Sequence, residues 1–218
     1  LFKDKSTFND DIGNWDVSSV TDMGYMFSSA SSFNQDLNDW DVSSVTTMSQ
    51  MFKYATSFNG DISTWDVSSV TSMYEMFFDA YVFNSDISGW DVSSVTNMRA
   101  TFEDCQVFNA DISDWDVSNV TNMLGTFIRT YDFNQDISGW DVSSVTNMQY
   151  LFYDATSFNQ DISGWDISNV TNMYQMFVNP DALSDTNKCA IHTAFSSNAN
   201  WPYDWSGSCG SSGCTDQY

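Results

Sequence analysis

A stacked α/β solenoid is the fold class that the sequence predicts, on three observations. The block "FNQDISGWDVSSVTNM", Phe133 to Met148, recurs in near-identical form from Phe8, Phe33, Phe58, Phe83, Phe108 and Phe158, always 25 residues apart. A fixed period of that length marks an array of small units that bury their faces on one another, not a globule with one closed core. Within each copy the apolar spacing switches from strand-like to helix-like, which predicts a short parallel strand and a short helix per unit. No proline occurs before Pro180, as expected when strand amides pair with neighbouring units. Connections between such parallel strands are expected to be right-handed.

The first half of each unit supplies the strand. In "DISGWDVSSV" the apolar residues fall at offsets one, four, six and nine, the spacing of a leucine-rich-repeat strand. Trp15-Asp16-Val17 is then the strand, with Trp15 and Val17 inward and Asp16 outward. An inward Trp15 column reads as stacked core; a carbohydrate platform would need the rings outside. The second half supplies the helix, because Met23, Met26, Phe27 and Ala30 stand at i, i+3, i+4 and i+7. Thr21, threonine in all seven copies, is placed to cap it. The column of Ala30 reads Ala55, Ala80, Cys105, Thr130 and Ala155 in later copies, small enough to pack on a neighbouring coil. Seven strands about 4.8 Å apart give a parallel sheet roughly 30 Å long. The array occupies residues 1–178, since Pro180 falls in the Ala30 column, and residues 179–218 are expected to cap its end. At the other end Leu1-Phe2 aligns with Met26-Phe27, so the chain opens inside a repeat, as a mature product or fragment does.

Hydrophobic residues make up 42% of the 218-residue chain and aromatics 17%, enough for a continuous core. Lysine and arginine number 6 against 29 acidic residues, for a formal charge of -23. Glu75 and Glu103 are the only glutamates; the remaining acids are aspartates, which favour turns, caps and cation coordination. So acidic a surface disfavours nucleic acid and anionic membrane as partners, both being of like sign. No apolar run is long enough to cross a bilayer, and no signal peptide is visible. Of the four cysteines, Cys105 replaces alanine in the packed column and reads as a buried free thiol. Cys189, Cys209 and Cys214 crowd into the tail; the pairing Cys189 with Cys209 is favoured, with the partner of Cys214 open. Secretion is the expectation.

The unit "FNQDISGWDVSSVTNMxxMFxxA" resembles the BspA-type leucine-rich-repeat surface proteins, in the 25-residue variant known from mycoplasma lipoproteins. The resemblance covers roughly Phe2 to Phe177, and the tail segment "LSDTNKCAIHTAFSSNANWPYDW" is similar to the one that often follows such repeats. It implies an extracellular or surface-anchored protein used for adhesion, matrix contact or host contact, with no catalytic residues and no cofactor.

Two columns of aspartate are candidate cation ligands. One is Asp11, Asp36, Asp61, Asp86, Asp111, Asp136 and Asp161; the other is Asp16, Asp41, Asp66, Asp91, Asp116, Asp141 and Asp166. Stacked in register, like charges about 5 Å apart repel by several kcal/mol at an effective dielectric of 20, so something must offset them. Two readings are open: each aspartate caps its own turn or binds neighbouring hydroxyls, or Ca2+ ions lie in line between coils. A paired-carboxylate glycosidase is disfavoured, because catalysis needs two unlike environments and every copy repeats the same one. Lone His192 has no nucleophile or second histidine beside it in the pattern. Thr21 is better used as a cap than as part of an ice-binding array.

Variation concentrates on the outward side of the second half-unit. Tyr25, Tyr54, Tyr74, Phe78, Arg99, Leu124, Ile128, Arg129, Tyr150, Tyr153 and Tyr174 fall there, large side chains where the pattern expects solvent, and mark a candidate partner-contact surface. Lys53 falls there too, so a basic-dotted side stands opposite an acidic one. Asn119-Val-Thr121 and Asn169-Val-Thr171 are candidate glycosylation sites. The function expected is an extracellular, non-enzymatic protein for adhesion or for protein or glycan recognition. The alternative is a structural subunit that binds copies of itself into a filament or sheath, with Ca2+ on the aspartate columns.

Overall fold

The computed structural model describes residues 1–210; Cys214 lies outside them. Regular elements are few among the described residues. β1 (Phe152–Tyr153) pairs in parallel with β2 (Phe177–Val178), Phe152 opposite Phe177. Helix α1 spans Asp185–Phe195, and a 3-10 turn spans Ser206–Ser208. Between units, parallel bridges run in succession through Asp22, Thr47, Ser72, Asn97, Asn122, Asn147 and Asn172.

The helix expected over Met23 to Ala30 is not formed. Met26, Ser28 and Ala30 donate to carbonyls three residues back, while Met23, Tyr25, Phe27 and Ser29 donate to Thr47, Ser49, Met51 and Lys53 of the next unit. An α-helix needs every amide to turn back on its own segment, and here alternate amides are taken by the neighbour. The apolar spacing is satisfied all the same: Met48, Met51, Phe52 and Ala55 are fully buried. Thr21 therefore caps no helix. Its carbonyl instead receives both the amide (2.9 Å) and the hydroxyl (3.2 Å) of Thr46, a link repeated down to Thr171 on Thr146.

Nor is a strand formed at Trp15-Asp16-Val17. The amides of Trp15 and Val20 close tight turns onto Ile12 and Val17, and the contact between units is made by a side chain. The indole Nε1 of Trp40 donates to the Ile12 carbonyl at 3.0 Å, and Trp65, Trp90, Trp115, Trp140 and Trp165 do likewise. These six tryptophans are buried; Trp15, with no unit before it among the described residues, is 44% exposed.

Two phenylalanine columns run through the core. Rings of Phe27, Phe52, Phe77, Phe102, Phe127, Phe152 and Phe177 stack at centroid spacings of 5.3 to 5.8 Å. Each but Phe177, whose unit has Leu183 there, also lies close to the second phenylalanine of its unit, as Phe52 does to Phe58 at 3.8 Å. The small column packs as expected: Ala30, Ala55, Ala80, Cys105, Thr130 and Ala155 are all buried, and Cys105 is a free thiol.

The tail covers the last unit. Ser184 caps α1 by accepting from the Asn187 amide, and Ile191 and Phe195 face inward. Trp201, Tyr203 and Trp205 meet Phe177 edge-on. The Tyr203 hydroxyl accepts from the Phe177 amide, as a carbonyl of a further unit would. It donates to the Phe177 carbonyl, which in earlier units receives the amide three residues on and here meets Pro180, which has no N–H. Cys189 and Cys209 form a disulfide.

Candidate functional site

The second half-unit presents its variable residues on an unusual backbone. At one position stand Tyr25, Gln50, Glu75, Ala100, Gly125, Tyr150 and Gln175; at another stand Asp4, Ser29, Tyr54, Asp79, Asp104, Arg129, Asp154 and Asn179. All have φ between 49° and 64°, the left-handed region that costs a side-chain-bearing residue about 1 kcal/mol or more. Only Gly125 avoids that cost. What holds the rest is the ladder: the amides of Gln50 and Glu75 reach the Tyr74 and Arg99 carbonyls at 2.8 and 2.9 Å, and those of Tyr54 and Asp79 reach Phe78 and Glu103 at 2.7 and 2.8 Å. The backbone is constant from unit to unit while the side chains change.

Charges gather on this face. Glu75 accepts from Gln50 Nε2 at 2.6 Å and is ion-paired with Lys53. Burial opposes both charges, but their mutual hydrogen bond wins, so the Glu75 pKa falls and that of Lys53 rises. Further along, Arg129 donates through Nε to Asp104 at 2.6 Å and pairs through Nη2 with Asp104 and with Glu103, the latter at 3.4 Å. Burial lifts Glu103 to about 7 despite Arg129. Burial, then the neighbouring Asp104 carboxylate, lifts Asp79 to about 6. Cations also lie over rings: Lys3 over Tyr25 at 4.8 Å, Lys53 over Phe78 at 4.5 Å and Tyr54 at 5.3 Å, Arg99 over Tyr74 at 5.3 Å.

Of the residues singled out as partner contacts, Tyr25, Tyr54, Arg99 and Tyr174 are exposed, and Tyr74, Phe78, Leu124, Arg129, Tyr150 and Tyr153 are half-buried. Ile128 is a correction: it is buried, because its side chain folds over Gly125, where a Cβ would stand 2.6 Å from Ile128 Cδ1. A shallow cleft of about 270 Å³ is lined by Ile128, Arg129, Tyr150, Tyr153 and Gln175.

The aspartate columns are turn caps. In all of them but Asp36, Oδ1 accepts the amide two residues on, as Asp11 does from Gly13 and Asp16 from Ser18 at 3.0 and 3.1 Å. Asp36 accepts from the Asp61 amide of the next unit instead. Hydrogen bonds from serine hydroxyl and amide hold Asp16, Asp41, Asp91, Asp136 and Asp141 below the usual carboxylate range. A row of Ca2+ ions needs six to eight oxygens per ion. Among the described residues no three of histidine, cysteine, aspartate and glutamate converge on a metal position.

The two sequon asparagines are exposed, with Nδ2 of Asn119 and Asn169 donating to the Ser93 and Ser143 carbonyls. His192 Nδ1 accepts from Trp201 Nε1 at 3.3 Å. Sequence reasoning missed two features. One is the asparagine after each leading phenylalanine, whose side-chain oxygen receives the amide of its counterpart in the next unit, from Asn9 to Asn159; its invariance among copies was the available signal. The other is the acid cluster Glu75, Asp79, Glu103 and Asp104, to which the rarity of glutamate pointed.

Among the described residues no helix is long and apolar enough to cross a membrane. No curated protein matches the chain, and no solved structure does. The model of the family described as "Mycoplasma protein of unknown function, DUF285" matches residues 1–90 and again 71–189. With residues 1–189 of 218 matched, the chain belongs to this family.

Proposed function

We propose that the chain is a leucine-rich-repeat solenoid of the BspA type that acts outside the cell, without catalysis, in adhesion or in recognition of protein or glycan partners. The observation that carries the reading is the constant left-handed backbone under changing side chains at the positions of Tyr25 and Ser29. A strained conformation kept at such positions, and filled with glycine only at Gly125, points to a face selected for what it displays. The solenoid reading is supported by the amide ladder between units and the stacked phenylalanine columns. The Cys189–Cys209 disulfide suits an oxidising compartment.

The test immobilises the purified chain and measures binding to a panel of extracellular-matrix proteins and glycans. Tyr25→Ser with Tyr174→Ser should weaken binding of whichever partner is captured at least tenfold, whereas Asp16→Asn with Asp66→Asn should leave it within twofold. Equal effects of both pairs, or hydrolysis of a panel glycan, would remove the reading. Ordered filaments in electron micrographs of the same material would put the structural subunit in its place.

A further inference from the structure

Resting on that reading, we propose that the cluster Tyr150, Tyr153 and Tyr174 is a docking point for a lysine or arginine side chain of a basic protein partner. The argument comes from the other units of the same face. There the corresponding rings each have a cation of their own: Tyr25 has Lys3, Tyr54 and Phe78 share Lys53, and Tyr74 has Arg99. Among the described residues no ammonium or guanidinium lies over Tyr150, Tyr153 or Tyr174. Yet Tyr174 is 55% exposed, and Tyr150 and Tyr153 line the 270 Å³ cleft, which has room for one side chain.

The shape of the cluster favours a compact cation over a sugar. Tyr150 meets Tyr153 at 83° and Tyr174 at 71°, both with centroids 5.8 Å apart. Rings set nearly at right angles can wall two sides of one ammonium group, as in aromatic cages; a sugar stacks on one flat open ring. Arg129 borders the cleft, but its guanidinium is paired with the Asp104 carboxylate, with Glu103 beside it at 3.4 Å. The formal charge of -23 draws a basic partner to the surface, and the cluster sets where its side chain lands.

The experiment uses the full chain with its tyrosine rings carbon-13 labelled, titrated with tetramethylammonium chloride against sodium chloride at equal ionic strength. The expected result is a saturating shift at Tyr150, Tyr153 and Tyr174, with Tyr25, Tyr54 and Tyr74 nearly still. In a second arm, Tyr150→Leu with Tyr153→Leu, first confirmed folded by its melt, should bind a lysine-rich peptide roughly threefold more weakly or worse. Uniform shifts across all tyrosines, no shift at the three, or an unchanged peptide affinity would overturn the proposal. A saturating response of the same rings to methyl glycosides and not to tetramethylammonium would also overturn it, while leaving the recognition reading standing.

Discussion

The backbone amide of Asn59 donates to the side-chain oxygen of Asn34, 2.7 Å away and one unit earlier, and the Asn59 oxygen in turn receives the Asn84 amide at 2.7 Å. A side chain one atom off its own backbone thus does what a strand carbonyl does in a sheet, and it holds each unit in register with the next. Asn59→Ala removes the acceptor from Asn84 and from the Ser85 hydroxyl. The site is exposed, so water replaces part of the loss, and a cost of about 1 kcal/mol in urea unfolding is expected. Asn59→Asp, which keeps the acceptor, should cost less; equal costs would show that the ladder contributes nothing.

The tryptophan column separates a hydrogen bond from packing. Trp90→Phe removes the 3.1 Å bond to the Ile62 carbonyl while keeping a ring between Trp65 and Trp115. It should cost about 1 kcal/mol, the net contribution of one hydrogen bond, since the Ile62 carbonyl keeps the Trp65 amide at 3.3 Å. Trp90→Ala adds the cavity and should cost about 3–5 kcal/mol. Two equal unfolding midpoints would place the whole effect in the lost bond.

Stability should pass through a maximum on the acid side of neutrality. Asp79 and Glu103 have folded pKa values of about 6 and about 7, above ordinary carboxylates. Between roughly pH 4.5 and 7 the folded chain therefore holds protons that the unfolded chain has released, and stability falls as pH rises through that window. The serine-capped aspartates act oppositely. Their pKa values are lowered, so what they contribute is present above about pH 4 and lost on acidification below it. Melting temperature should rise from pH 7.5 to about pH 5 and then fall. Glu103→Gln should flatten the neutral limb and spare the acid one; an unchanged neutral limb would contradict the assignment.

Reducing the Cys189–Cys209 bond opens a loop with a sequence separation of 20, worth about 3 kcal/mol in chain entropy. Because each unit rests chiefly on its neighbours, the loss should be local. Hydrogen exchange should speed in α1 and around Phe177 while the amides of Phe77 and Phe102 stay protected. Uniform acceleration along the array would show that the tail holds the whole stack.

EDTA should leave the melting temperature within about a degree, since the aspartates of both columns spend an oxygen on backbone amides and no metal cage forms among the described residues. A fall of many degrees would restore the cation reading.

Much of this was legible in the chain. The capping bonds of the aspartate columns had a local signal, because aspartate two residues before serine favours a turn. The Cys189–Cys209 pair and the buried Cys105 were legible from position alone. The helix over Met23 to Ala30 was not, since residues at i, i+3, i+4 and i+7 share a face equally well in a helix and in a run of three-residue turns. Ile128 was misplaced because its burial depends on a glycine three residues earlier, not on its own spacing.

By itself the sequence determined the period, the columns that form the core and the strongly acidic charge. Those follow from residue identity and spacing, which settle what must leave water. Only the tertiary structure decided where each amide goes. Tyr25 bonds to Ser49 and not back on its own segment because the carbonyl of the next unit stands within reach, and no local propensity encodes that neighbour. The left-handed backbone and the pairing of Arg129 with Asp104, one unit apart, follow from that choice.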